Sequence, residues 1–185
     1  MKKRFFLVII AIFAFVAASF GQKKDNNKRA IGTTLMGINA EYHPFMYDLK
    51  GGEAEERDAR VLKLDIAGFY IFLDSRHNYS LEWKLVSMFA SFENTFKDNE
   101  SIGAGLLNFA LRKETGRFCP VLYLNFREHI IHRDKTQELQ HSAALGFEYY
   151  LNDYILLCFK AGGAIKEKGY LSPFVGLGIK WDAAW

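Results

Sequence analysis

Across residues 142–181 apolar positions alternate with small or charged ones at a period of two, a pattern that suits strands and little else. Ala143, Leu145, Phe147, Tyr149 and Leu151 interleave with Ala144, Gly146, Glu148, Tyr150 and Asn152. After Asn152-Asp153, Ile155, Leu157, Phe159 and Ala161 interleave with Leu156, Cys158 and Lys160. After Lys166-Glu167-Lys168-Gly169, Val175, Leu177, Ile179 and Trp181 interleave with Gly176, Gly178 and Lys180. Three strands joined by such short turns make an antiparallel meander, each with one apolar face and one small or charged face.

The same reading finds five earlier strands, at residues 31–47, 60–73, 79–92, 101–111 and 118–131, for a total of eight. In the second, Leu62, Leu64, Ile66, Gly68, Tyr70 and Phe72 share a face opposite Lys63, Asp65 and Ala67. In the third, Leu81, Trp83 and Leu85 oppose Glu82 and Lys84. In the fourth, Gly103, Gly105, Leu107 and Phe109 oppose Leu106 and Asn108. In the fifth, Leu122, Leu124, Phe126 and Ile130 oppose Tyr123, Asn125, Arg127 and His129. The polar stretches 48–59, 94–100, 132–140 and 166–169 read as loops, and 75–78 and 152–153 as short turns.

The first 21 residues stand apart: Lys2-Lys3-Arg4 precedes an apolar run and then the small residues Ala17, Ala18, Ser19 and Gly21. That is the layout of a secretory signal peptide cleaved after Gly21, and the uncharged run is short of the roughly 20 residues of a spanning helix. Residues 22–30 are polar and read as a flexible mature N-terminus, leaving 31–185 for the barrel. Lys2, Lys3 and Arg4 account for three of 24 basic residues, so the mature chain carries 21 basic and 21 acidic ones. A neutral chain has no electrostatic footprint for nucleic acid. Cys119 and Cys158 fall on non-adjacent strands and read as isolated small hydrophobes rather than a disulfide.

Eight alternating strands close into a barrel without edges, and the charged faces decide which barrel. Lys63, Asp65, Glu82, Lys84, Arg127, Glu148 and Lys160 are single charges of both signs set among small residues. Such faces suit a narrow interior filled by mutually paired side chains, with the apolar faces turned to lipid. Tyr70, Trp83, Tyr149 and Trp181, near strand ends, read as aromatics of the membrane interface. The expected fold is therefore all-β: an eight-stranded antiparallel up-and-down transmembrane barrel in the outer membrane of a Gram-negative bacterium. With both termini in the periplasm, the four longer polar stretches face outward.

The segments GFEYYLNDYILLCFKAGG and GYLSPFVGLGIKW resemble the final strands of small outer-membrane β-barrel proteins of Bacteroidota. Leu151 to Lys160, together with the basic signal peptide and the length, is similar to the TraO family of conjugative-transposon proteins. The resemblance implies a non-enzymatic structural or interaction role, with outer-membrane lipid, the barrel-assembly machinery and other envelope proteins as partners and no cofactor. Two alternatives stand beside it: a secreted soluble β-barrel holding an apolar ligand, and an outer-membrane acyl hydrolase or acyltransferase. The second would draw on Ser142, His141 and Glu138, or on His129 with Asp134. The five histidines, at 43, 77, 129, 132 and 141, lack the spacing of a metal site.

Overall fold

The computed structural model describes residues 34–52, 54–73, 78–92, 101–132, 135–152 and 155–183. The expected signal peptide and flexible N-terminus lie outside these residues, as does Trp185. The strands are β1 (Thr34–Asp48), β2 (Ala54–Phe72), β3 (Tyr79–Phe92), β4 in two segments (Ser101–Gly105 and Leu107–Lys113), β5 (Phe118–His132), β6 (Gln137–Tyr150), β7 (Ile155–Lys166) and β8 (Tyr170–Ala183). Each pairs antiparallel with its sequence neighbours, and β1 pairs with β8 from Thr34↔Ala183 to Asp48↔Tyr170. The described strands thus form a closed, eight-stranded up-and-down barrel with no free edge.

Two of the expected loops are largely strand. Residues 54–59 belong to β2, where Ala54 pairs with Tyr47 and Glu56 with Phe45, so the acidic stretch extends the first hairpin. Residues 137–140 belong to β6, where Gln137 pairs with Ile131. Composition marked both stretches as polar, but a hairpin that projects beyond a barrel keeps its ladder whatever its side chains are.

The apolar faces point outward. Leu145 is 70% exposed, Leu177 58%, Val175 56% and Leu62 49%. Lys180, Glu82 and Glu148, by contrast, are at most 1% exposed. A water-soluble barrel would show the reverse.

Three of the irregularities that shift the phase of this alternation overturn a face expected from sequence. In β2 the pairing slips around Ala67, so Gly68 and Tyr70 turn inward and Phe69 and Ile71 outward. Tyr70, expected at the membrane interface, is 3% exposed inside the barrel. In β4 the ladder breaks at Leu106, whose carbonyl accepts from Trp83 Nε1 at 2.9 Å. Leu107 and Phe109 consequently face outward, and Asn108 and Arg112 face inward with Gly105. In β5 the register skips between Asn125 and Glu128, and Arg127 sits at φ 54°. Glu128 occupies the lumen position, while Arg127 and His129 are exposed. One inserted residue moves every later side chain to the other face, which strict alternation cannot foresee.

Close packing of the closing strands depends on glycine. At Gly162 an added Cβ would strike the carbonyl oxygen of Ala143 and the backbone of Ala144, whereas at Gly163 it would meet only the Leu171 side chain at 3.2 Å. We expect Gly162→Val to destabilise the barrel by about 1–3 kcal/mol and Gly163→Ala by less than ~0.5 kcal/mol, measured by urea unfolding in lipid vesicles.

Candidate functional site: the charged lumen

Inside the barrel, side chains from every strand meet in three connected tiers. Nearest the termini, Arg112 donates from Nε to Glu148 at 2.6 Å, from Nη2 to Glu82 at 3.1 Å and from Nη1 to Ser80 Oγ at 3.2 Å. Lys180 donates to the same two carboxylates, at 2.5 Å to Glu148 and 2.8 Å to Glu82. Four strands, β3, β4, β6 and β8, are tied together by two acids and two bases. The Tyr123 hydroxyl on β5 adds a donor to Glu148 at 2.9 Å.

The middle tier is centred on Asp65. It accepts from Lys84 Nζ at 2.5 Å, Ser87 Oγ at 2.5 Å and Asn39 Nδ2 at 3.1 Å, joining β1, β2 and β3. The third tier pairs Lys160 with Glu41 at 2.6 Å and Lys63 with Glu128 at 3.0 Å, with Lys63 also 3.6 Å from Glu41. Gln140 donates to Glu128 at 3.2 Å. The Tyr123 ring stands between the tiers, with Lys84, Lys160 and Lys180 ammonium groups 5.8, 5.5 and 5.4 Å from its centroid. Its π face favours cations where water is absent.

Glu41, Asp65, Glu82, Glu128 and Glu148 therefore face Lys63, Lys84, Arg112, Lys160 and Lys180, five carboxylates against five bases, all at most 9% exposed. Isolated, each would carry a heavy desolvation cost; paired with charge-assisted hydrogen bonds, they fill the bore. A central void lined by Asn39, Lys63, Asp65, Lys84, Tyr123 and Glu128 measures about 10 Å³. That is room for about one water. At the terminal end, Tyr70, Cys119 and Leu156 are buried and continue the filling. Toward the other end the lumen opens into a cavity of about 140 Å³ beside Glu41, His43, Lys63, Phe89, His132 and Lys166.

Of the charges anticipated in the interior, Lys63, Asp65, Glu82, Lys84, Glu148 and Lys160 lie in this network, and Arg127 lies on the outer wall. Glu128, its neighbour, takes the place expected for Arg127. Glu41 and Arg112 were missed by sequence reading; each continues a run of small or polar residues at two-residue spacing, Gly37-Asn39-Glu41 and Asn108-Ala110-Arg112. Among the expected interface aromatics, Trp83 and Tyr149 are 43% and 38% exposed on the outer wall, Trp181 is half-buried and Tyr70 is inside.

The catalytic alternatives do not converge. Ser142 is buried in the lumen, where its hydroxyl oxygen accepts from Asn125 Nδ2 at 2.8 Å, whereas the adjacent His141 faces outward. Glu138 lies inside between Lys166 at 3.5 Å and His132 at 3.4 Å. Asp134 lies outside the described residues. Among the described residues no group of three or more His, Cys, Asp or Glu side chains is arranged to hold a metal ion. Cys119 and Cys158 are both buried free thiols. The soluble alternative wanted an enclosed apolar cavity, yet an apolar concavity of about 770 Å³ lies on the outer wall, between Tyr42 and Phe147 over Ala40, Ala161 and Leu177.

No protein-family model matches the chain, and no curated protein matches it. Solved structures that share its architecture include the following two. The attachment invasion locus protein Ail of Yersinia pestis aligns over 82% of this chain and 99% of its own, at 8% identity and a TM-score of 0.52. Neisserial surface protein A aligns over 80% of this chain and 96% of its own, at 11% identity and a TM-score of 0.53. The fold is that of a small outer-membrane-type β-barrel.

Removing Glu148 leaves Arg112 and Lys180, two buried cations, to share the single carboxylate of Glu82. Glu148→Ala is expected to cost about 3–5 kcal/mol in unfolding free energy. Arg127→Gln, outside the network, should change it by less than ~0.5 kcal/mol in the same titration.

Proposed function

We propose that the protein is a non-enzymatic, non-conducting small outer-membrane barrel that holds one set of hairpins outside the membrane as an interaction surface. One observation carries the reading: a continuous apolar outer wall surrounds a bore filled by charge pairs. The wall matches lipid, and among the described residues the paired side chains that fill the bore leave no continuous water path. In this reading the chain is exported by residues 1–21, cleaved after Gly21, and inserted by the barrel-assembly machinery. Both described strand termini, Thr34 and Ala183, pair at one end, which becomes the periplasmic side. The β1–β2, β3–β4, β5–β6 and β7–β8 connections then face outward. The likeness of Leu151–Lys160 to TraO-type chains favours an envelope-spanning conjugation complex as the setting.

Fractionation of cells producing the full-length chain tests this. A chain beginning at Gln22, recovered in the outer membrane and migrating differently before and after boiling, is the expected result. In planar bilayers it should add no ohmic conductance. A mature chain soluble in the periplasm, or a steady open channel, would overturn the proposal.

A further inference from the structure

We propose that the outer wall of β5 and β6 around Arg127 docks the phosphate of an anionic lipid in the membrane leaflet on the hairpin side. The inference rests on the membrane reading above and adds a ligand class to it.

Arg127, His129 and His141 are all exposed on this wall, while the neighbouring carboxylates Glu128 and Glu138 point into the lumen, 0% and 6% exposed. The register skip sorts the charges: acid inward, base outward. Arg127 reaches this position through a left-handed backbone, φ 54°, uncommon for a residue other than glycine and typical of places where a bulge re-aims a side chain. Among the described residues its guanidinium makes no ion pair.

The bulge also sets the chemistry of the adjacent histidine. The Arg127 backbone N–H, removed from the ladder, donates to His141 Nδ1 at 3.3 Å. With Nδ1 accepting, the ring proton of neutral His141 resides on Nε2, which is left as a donor. Arg127 and His141 therefore offer hydrogen-bond donors side by side. His129, which pairs in register with Leu139, lies on the same wall one alternation from His141. A guanidinium fork beside ring N–H donors fits a phosphate.

The surroundings identify the phosphate's carrier. Phe126 and Ile131 are 42% and 43% exposed beside the cluster, Leu145 is 70% exposed farther along β6, and Phe126 packs edge-on to His141 at 6.4 Å. From Arg127 toward the terminal end, the outward residues of β5 are Phe126, Leu124, Leu122, Pro120 and Phe118, all uncharged. The basic group thus stands at the upper boundary of an apolar strip roughly 20–25 Å tall, as expected for a lipid-facing band. A headgroup phosphate lies at that boundary with its chains along the strip below.

Native mass spectrometry of the full-length protein in dodecyl maltoside tests the site, with dimyristoyl phosphatidic acid, dimyristoylglycerol and inorganic phosphate as separate probes. Phosphatidic acid should bind more tightly than the other two, and R127Q, H129Q and H141Q should each weaken it by about fivefold. K113Q, an exposed base near the terminal end, should leave it unchanged. H129Q leaves the 127–141 contact intact and so reads the site independently of the bulge. Equal binding of dimyristoylglycerol, or wild-type affinity in all three variants, overturns the inference. Inorganic phosphate binding as tightly as the lipid also overturns it, by assigning the site to a free anion. A barrel inserted in the membrane but indifferent to the headgroup removes this inference alone; a soluble mature chain removes the membrane reading with it.

Discussion

The cost of placing charge where water cannot reach governs this barrel. An eight-stranded wall encloses a bore only about as wide as side chains. Any charge on the inner face must find its counter-charge across that bore or remain desolvated and alone. Glu148 meets both Arg112 and Lys180, and Glu41 meets Lys160. Because these partners come from strands far apart in sequence, the pairings exist only when the barrel is closed in one register. A slip of one residue in β8 would move Lys180 to the outer wall and leave two carboxylates short of a cation. Polar interior and strand register therefore specify each other.

Tyr123 makes the three tiers one unit. Its hydroxyl serves the Arg112–Lys180 tier and its ring faces ammonium groups from all three. An aliphatic side chain would fill the same space without answering the cations, and a further carboxylate would unbalance the five-against-five count. A phenol does both tasks, offering one donor and a π face.

The bulges connect inside to outside. In β5 one extra residue brings Glu128 to Lys63 and expels Arg127 to the wall, so the same irregularity completes the lumen network and creates the basic patch. In β2 the slip at Ala67 puts Tyr70 into the terminal end of the bore, where it joins Cys119 and Leu156. These local departures let a regular wall hold an irregular interior.

The period-two alternation, the eight strands, the short hairpins and the charged character of one face are all properties of neighbouring residues, and they are written in the chain. Hence the barrel, and the lumen positions of Lys63, Asp65, Glu82, Lys84, Glu148 and Lys160, were legible from sequence. The extents of β2 and β6 were less so, because hydrogen bonds between strands persist through polar stretches that composition marks as loop. Tertiary structure alone decided the inward turn of Tyr70, the outward turn of Arg127 and the partnership of Arg112 with Glu148 and Glu82. Each depends on where a bulge resets the phase of a strand and on which residues closure brings face to face. Both are settled by pairing between distant segments, and local alternation carries no record of them.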